Sequence, residues 1–225
     1  NRIEFVVALF AATQIGAICV PLSIREQKPG LAYALSHCAA VCLLHEADLA
    51  DLLPAPSEAP QLRHRVSMAA CPGSALYADW QAHTPLTDVT SVHEEDTAVI
   101  LYTSGTTGYP KGVLHAHRAL IGREPAAKYW FNFAEDQQDR IMHSGKFNWT
   151  YVLGTGLMDP LYLGKTVIVH EGKNDADLWT RLIAKHAATI FVGVPTIYRQ
   201  IIQKSTAAKA DVPSLRHCMS AGEHL

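Results

Sequence analysis

Ten consecutive residues, Thr103-Ser-Gly-Thr-Thr-Gly-Tyr-Pro-Lys-Gly112, hold most of the chemistry legible in this chain. Thr103, Ser104, Thr106 and Thr107 crowd four hydroxyls into five positions. Gly105 and Gly108 permit positive φ and close approach of the backbone to a ligand. Consecutive N–H groups in such a loop make a concavity for anions, and Lys111 adds a cation. Together these parts suit a polyphosphate. A solvated Ser/Thr/Gly turn is the competing reading. The apolar strand that precedes the loop and the Pro110-Lys111-Gly112 closure weigh against it. The pattern is not a Walker A loop, which needs Gly, four residues, then Gly-Lys-Ser/Thr. Counted from Gly105, Pro110 stands before the lysine, and Gly112 replaces the hydroxyl residue that would hold Mg²⁺.

Other reactive side chains are less informative. His115 and His117 form a His-x-His pair whose members would share one face of a strand, but no third ligand follows at a metal-site spacing, so no metal site is expected. The five cysteines, Cys19, Cys38, Cys42, Cys71 and Cys218, are odd in number and unpaired in spacing. They read as small buried thiols and not as a disulfide framework.

The elements that must position the loop follow an α/β rhythm. Residues 3–15 have helical apolar spacing and stop at Gly16; residues 17–20 read as a short strand closed by Pro21. A helix over 29–38 and a strand over 40–44 come next. Residues 51–90, punctuated by five prolines, read as a surface excursion with a short strand at 65–68. Residues 97–102 are apolar almost throughout, as a strand covered on both faces would be. A strand over 112–115 and a helix opening at 117–120 follow, with Pro125 expected to disturb or restart that helix. From residue 164 the order is strand (164–170), helix (175–186), strand (188–192), helix (195–204), strand (215–220). That alternation predicts mostly parallel pairing.

Composition narrows the classes. The chain has 225 residues, is 48% hydrophobic and 18% charged, and carries a net charge of −2. Gly 14 and Pro 12 are ordinary for a folded domain. A near-zero balance leaves no electrostatic footprint for nucleic acid. The most apolar stretch, residues 5–22, is too short and too interrupted to span a bilayer well, and no basic cluster precedes it as a signal peptide requires. A cytoplasmic protein without an integral membrane segment is expected.

The string Tyr102–Val113 (YTSGTTGYPKGV) resembles the phosphate-loop signature of the adenylate-forming superfamily, which contains acyl-CoA synthetases, luciferases and peptide-synthetase adenylation domains. Four further stretches resemble family segments in the same order. They are residues 15–22 (IGAICVPL), 143–169 (the aromatic segment and strand before the acyl pocket), 193–199 (GVPTIYR) and 220–225 (SAGEHL). Trp149 and the Ser-Ala-Gly-Glu ending are most similar to acyl-CoA synthetases. The implied fold is α/β, with layered mostly parallel sheets flanked by helices. Residues 1–225 would form a fragment of the large N-terminal, ATP- and acyl-binding domain, without the small C-terminal domain.

The implied reaction is that of an AMP-forming acid–CoA ligase. A carboxylic acid reacts with Mg·ATP to give an acyl-adenylate and pyrophosphate, and the acyl group then passes to CoA. The resemblance assigns Thr103, Ser104, Gly105, Thr106, Thr107 and Gly108 to the ATP phosphates, with Lys111 and Thr106 acting in catalysis. Gly222 and Glu223 match the turn that lies against the adenine; His224 stands where many relatives have Pro or Ala, which puts that contact in doubt. Phe147, Trp149, Thr150, Tyr151 and Gly154 would line one side of the acyl pocket, and Gly193, Val194, Pro195 and Thr196 the other. Ordinary core packing competes for the aromatics. Later family motifs lie beyond Leu225, so the fragment alone is expected to be inactive. Loading of a carrier protein in place of CoA, and a non-catalytic nucleotide- or acyl-binding remnant, stand as alternatives. The acid and the oligomeric state, a homodimer included, stay open.

Overall fold

A computed structural model describes residues 1–103, 109–133, 138–172, 175 and 177–224. The chain divides into two compact units. The first comprises residues 1–21, 92–99 and 115–225; the second comprises residues 22–91 and 100–114.

The first unit opens with helix α1 (Ile3–Gln14). Gly16 ends it at φ +72°, donating to Thr13 O while Ala17 donates to Ala12 O at 2.8 Å. This is the paired closure that a glycine past the last turn permits. The expected strand over 17–20 reduces to one parallel bridge, Cys19 with Val99. Pro21 and the turn at Gly16 leave too few extended residues for more.

The same unit holds a four-stranded sheet in the order β7 (Thr166–Ile168), β6 (Arg140–His143), β8 (Ile190–Gly193), β9 (His217–Ser220). Every pairing in it is parallel. The parallel expectation therefore holds, with one strand added. β6 escapes a sequence reading because polar residues crowd its N-terminal side, yet it sits between β7 and β8. Helices α7 (Leu178–His186) and α8 (Pro195–Lys204) make the crossovers. Trp179 and Ile183 of α7, one turn apart, pack with Met142 and Phe191. Burying a side chain of this size contributes about 2 kcal/mol. α7 begins at Leu178, three residues later than the sequence suggests, because Asp177 uses its carboxylate on Ser205 Oγ and the Thr206 N–H.

On the other side, α4 (Ala119–Phe131) packs Ala127 and Phe131 against Ile141, Ile190 and Val192. Pro125 lies inside α4, which runs through it. The disruption expected there does not occur; packing at both ends of the helix outweighs the one hydrogen bond a proline forfeits. Residues 150–162 form one helical run of α5 (Thr150–Leu153), a π-helical turn (Gly154–Met158) and α6 (Asp159–Tyr162).

The second unit contains α2 (Lys28–His37) and a parallel sheet of β1 (Cys42–His45), β2 (His64–Ser67) and β3 (Ala75–Leu76), the last leading into α3 (Tyr77–Gln81). The segment expected to be a surface excursion thus supplies a central strand, whose Val66 and Ser67 are fully buried. β4 (Thr97–Thr103) and β5 (Lys111–Ala116) pair with each other and are divided between the units. Ala98, Val99 and Leu101 of β4 are buried, as its apolar run predicts.

Candidate functional site

Parallel pairing brings the carboxyl ends of β6, β8 and β9 to one edge of the four-stranded sheet. His143 is in register with Val192, and Gly193 with Ser220. Three connections leave that edge together: residues 144–149, 194–196 and 221–224. The crevice outside the carboxyl ends of parallel strands is where α/β sheets bind ligands.

Contacts join these connections. A Cβ on Gly222, whose φ is +99°, would lie 3.1 Å from Cη2 of Trp149 and 3.8 Å from Val194 Cγ1. Glycine at 222 is therefore demanded both by its backbone conformation and by the indole beside it. A Cβ on Gly193 would meet Tyr198 at 3.1 Å and Ser144 Oγ at 3.4 Å. Thr196 Oγ1 donates to Glu223 Oε2, and Arg199 reaches the same oxygen at 3.3 Å and the His224 carbonyl at 3.0 Å. Trp149 and Tyr151 meet edge to face at 5.8 Å. Trp149 is 43% exposed, Tyr151 half-buried and Pro195 buried. The structure thus gathers Trp149, Tyr151, Gly193, Val194, Thr196, Gly222 and Glu223, taken from three separate stretches of sequence.

Phe147 and Gly154 have other neighbours. Phe147 is buried and stacks on Phe5 of α1 at 5.5 Å, and Asn1 pins its N–H and the Gly145 carbonyl. A Cβ on Gly154 would lie 2.7 Å from an Arg123 guanidinium nitrogen. That guanidinium forms a two-pronged pair with buried Asp159, at 2.9 and 2.6 Å. The glycine makes room for the pair. Thr150 starts α5 with its backbone.

His143 closes β6 with its ring enclosed. Its Nδ1 accepts from the Gly145 N–H at 2.9 Å, so the proton sits on Nε2, a buried atom without a hydrogen-bond partner among the described residues. Burial pulls its pKa down to about 4, so the ring is neutral near pH 7. Glycines at 145 and 156 leave space for the ring.

In the second unit, Ser104, Gly105, Thr106, Thr107 and Gly108 lie outside the described residues, whereas both flanks of that loop are described. Thr103 ends β4 exposed, and Lys111 starts β5 exposed. Tyr33, His37, Tyr109, Pro110, Lys111 and Gly112 line an open cleft of about 430 Å³. Tyr33 stacks on His37 at 5.3 Å and on Tyr109 at 4.8 Å. The Tyr102 hydroxyl lies 2.8 Å from His37 Nδ1 and 3.2 Å from the Ala34 carbonyl. Partial burial, with Cys38 and Tyr33 adding, pushes the Tyr102 phenol up to about 12, so it stays a neutral donor. Sequence reasoning missed this aromatic cluster. Its one signal is Tyr33 and His37 at i, i+4 on a helix. The Arg123–Asp159 pair, 36 residues apart, left none.

His115 is half-buried on β5 with Nε2 unpartnered, while the His117 N–H bonds the Asp96 carbonyl. Among the described residues, no three His, Cys, Asp or Glu side chains gather to hold a metal, and no helix is long and apolar enough to cross a membrane.

A parallel α/β sheet with ligand-sized features at its carboxyl edge and a Gly/Ser/Thr loop ahead of a lysine define a nucleotide-activating class of protein. The chain belongs to the AMP-binding enzyme family, whose model matches residues 1–225. It is 31% identical to the 3-hydroxybenzoate–CoA/4-hydroxybenzoate–CoA ligase of Thauera aromatica, over 99% of this chain and 43% of that protein. A solved anthranilate–CoA ligase, in complex with anthranoyl-AMP, superposes with a TM-score of 0.89 at 26% identity, covering 99% of this chain and 44% of that one. The benzoate–CoA ligase of Burkholderia xenovorans LB400 gives 0.85 at 27% identity, covering 100% and 44%. The chain spans less than half the length of these relatives.

Proposed function

We propose that this chain is the ATP- and acyl-binding part of an AMP-forming acid–CoA ligase, within the large N-terminal domain, and that the acid is an aromatic carboxylate. The observation that carries the reading is the ten-residue string Thr103–Gly112 in a chain matched along its whole length by the AMP-binding family. The aromatic acid is inferred from relatives whose names specify hydroxybenzoate, benzoate and anthranilate.

The reaction has two displacements. A carboxylate oxygen bonds to the α-phosphorus of Mg·ATP as the bond to pyrophosphate breaks, and pyrophosphate leaves with the electron pair. The CoA thiolate then attacks the acyl carbon, and the carbon–oxygen bond to AMP breaks. Both steps depend mainly on positioning and on neutralising charge that develops. The hydroxyls and N–H groups of Thr103–Gly108 hold the β- and γ-phosphates, and the Lys111 ammonium neutralises the leaving pyrophosphate. Gly222 and Glu223 take the adenine. Trp149, Thr150 and Tyr151 on one side, and Gly193, Val194, Pro195 and Thr196 on the other, enclose the acyl group.

The test is product analysis with the complete protein encoded by the gene, offered ATP, CoA and a panel of aliphatic and aromatic acids. The expected result is AMP, pyrophosphate and an aroyl-CoA thioester. Pyrophosphate without thioester would redirect the second step to a carrier protein. No product from any acid would overturn the reading.

A further inference from the structure

The chain immediately before Lys111 is held by one side chain from a distant helix. Tyr33 of α2 donates its hydroxyl proton to the Pro110 carbonyl at 3.2 Å. Its ring stacks on the neighbouring Tyr109, with centroids 4.8 Å apart and planes 24° or less from parallel at 23°. Two contacts of different kinds thus fix two successive residues. Tyr33 is itself backed by His37, stacked at 5.3 Å, and by Tyr102, edge-on at 6.4 Å. His37 cannot slide away, because its Nδ1 is engaged by the Tyr102 hydroxyl. On the far side of the lysine, Gly112 lies flat on β4: a Cβ there would sit 3.1 Å from Ile100 Cγ2 and 3.7 Å from the Tyr102 ring. Lys111 is therefore bracketed between a tyrosine-braced residue and a close backbone approach. An exposed lysine keeps its side-chain freedom, but its Cα is placed by this brace.

We propose that Tyr33 is a positioning residue for the adenylation step: it sets Tyr109 and Pro110, and through them the location of the Lys111 ammonium. The inference rests on the proposed reaction and adds to it a residue that touches no reacting atom. A group that acts through another has a distinctive signature, because its loss costs nothing once that other group is gone.

The experiment is a double-mutant cycle in the complete protein, using Tyr33→Phe, Tyr33→Ala, Lys111→Ala and Tyr33→Ala with Lys111→Ala. It is read by acid-dependent ATP–pyrophosphate exchange and, in parallel, by calorimetric affinity for Mg·ATP. Tyr33→Phe keeps the stack and loses one hydrogen bond, so exchange should fall about fivefold. Tyr33→Ala should cost about thirtyfold with the KM for the acid unmoved, and less than about twofold in the Lys111→Ala background. Equal losses in both backgrounds, or no loss in either, would overturn the proposal; Tyr33→Phe keeps it decidable if Tyr33→Ala unfolds. Absence of exchange in the wild type would count against the reaction itself. The cycle read through Mg·ATP affinity would still decide whether Tyr33 acts through Lys111.

Discussion

Thr196 Oγ1 donates a 2.5 Å hydrogen bond to Glu223 Oε2, so the first turn of α8 is tied to the segment that leaves β9. The acceptor is charged, which makes this bond shorter and stronger than a neutral one. Arg199 shares the same carboxylate oxygen and also holds the His224 carbonyl. The arrangement presents residues 222–224 in one conformation. Thr196→Val should therefore raise the KM for ATP about fivefold to tenfold, with kcat changed less, and Glu223→Ala should do at least as much. Initial rates against ATP concentration check this; an unchanged KM in both variants would remove the adenine role from Glu223.

The Arg123–Asp159 pair predicts a stability effect without direct involvement in chemistry. Asp159 is 2% exposed and Arg123 is half-exposed, so loss of the arginine strands a buried carboxylate. Arg123→Ala should cost about 2–3 kcal/mol. Gly154→Ala should approach the same cost, because the added methyl collides with the guanidinium and not with open space. Urea unfolding midpoints measure both. Since α4 and the π-helical turn meet at this pair, retention of full stability in Arg123→Ala would mean that packing alone joins them.

His143 gives a pH prediction. Burial lowers its folded-state pKa from 6.5 to about 4, so the unfolded chain binds the proton more readily between those values. The stability due to a neutral ring is complete above about pH 6.5 and is lost as pH falls toward 4, up to about 3 kcal/mol. His143→Gln should flatten that part of the stability–pH profile. A variant whose profile parallels the wild type between pH 6.5 and 4 would assign the acid sensitivity elsewhere.

Much of the fold was legible because the relevant forces are local. The apolar run of β4, the Gly16 stop of α1 and the proline at the start of α8 announce themselves in a few residues. What was hidden depends on tertiary context. β6 is short and follows polar residues, so only its place between β7 and β8 reveals it. α4 continues through Pro125 because its buried face is packed on both sides of the proline. The site divides in the same way. The polyphosphate reading of Thr103–Gly112 needs only residue types and spacing, whereas the brace from Tyr33 links residues 77 positions apart and leaves no local trace. Phe147 shows the limit of aromatic patterning, since the pattern alone could not foresee its stack on Phe5.

Lys111 is the residue on which the account turns, and acid-dependent exchange of labelled pyrophosphate into ATP reads its step without requiring CoA. The account predicts exchange by the complete wild-type protein with an aromatic acid. It predicts a fall of about a hundredfold or more in Lys111→Ala, with an unaltered unfolding midpoint, because a lost charge contact in a closed site is worth several kcal/mol at the transition state and an exposed lysine adds little to stability. Exchange at the wild-type rate in a folded Lys111→Ala protein would contradict it.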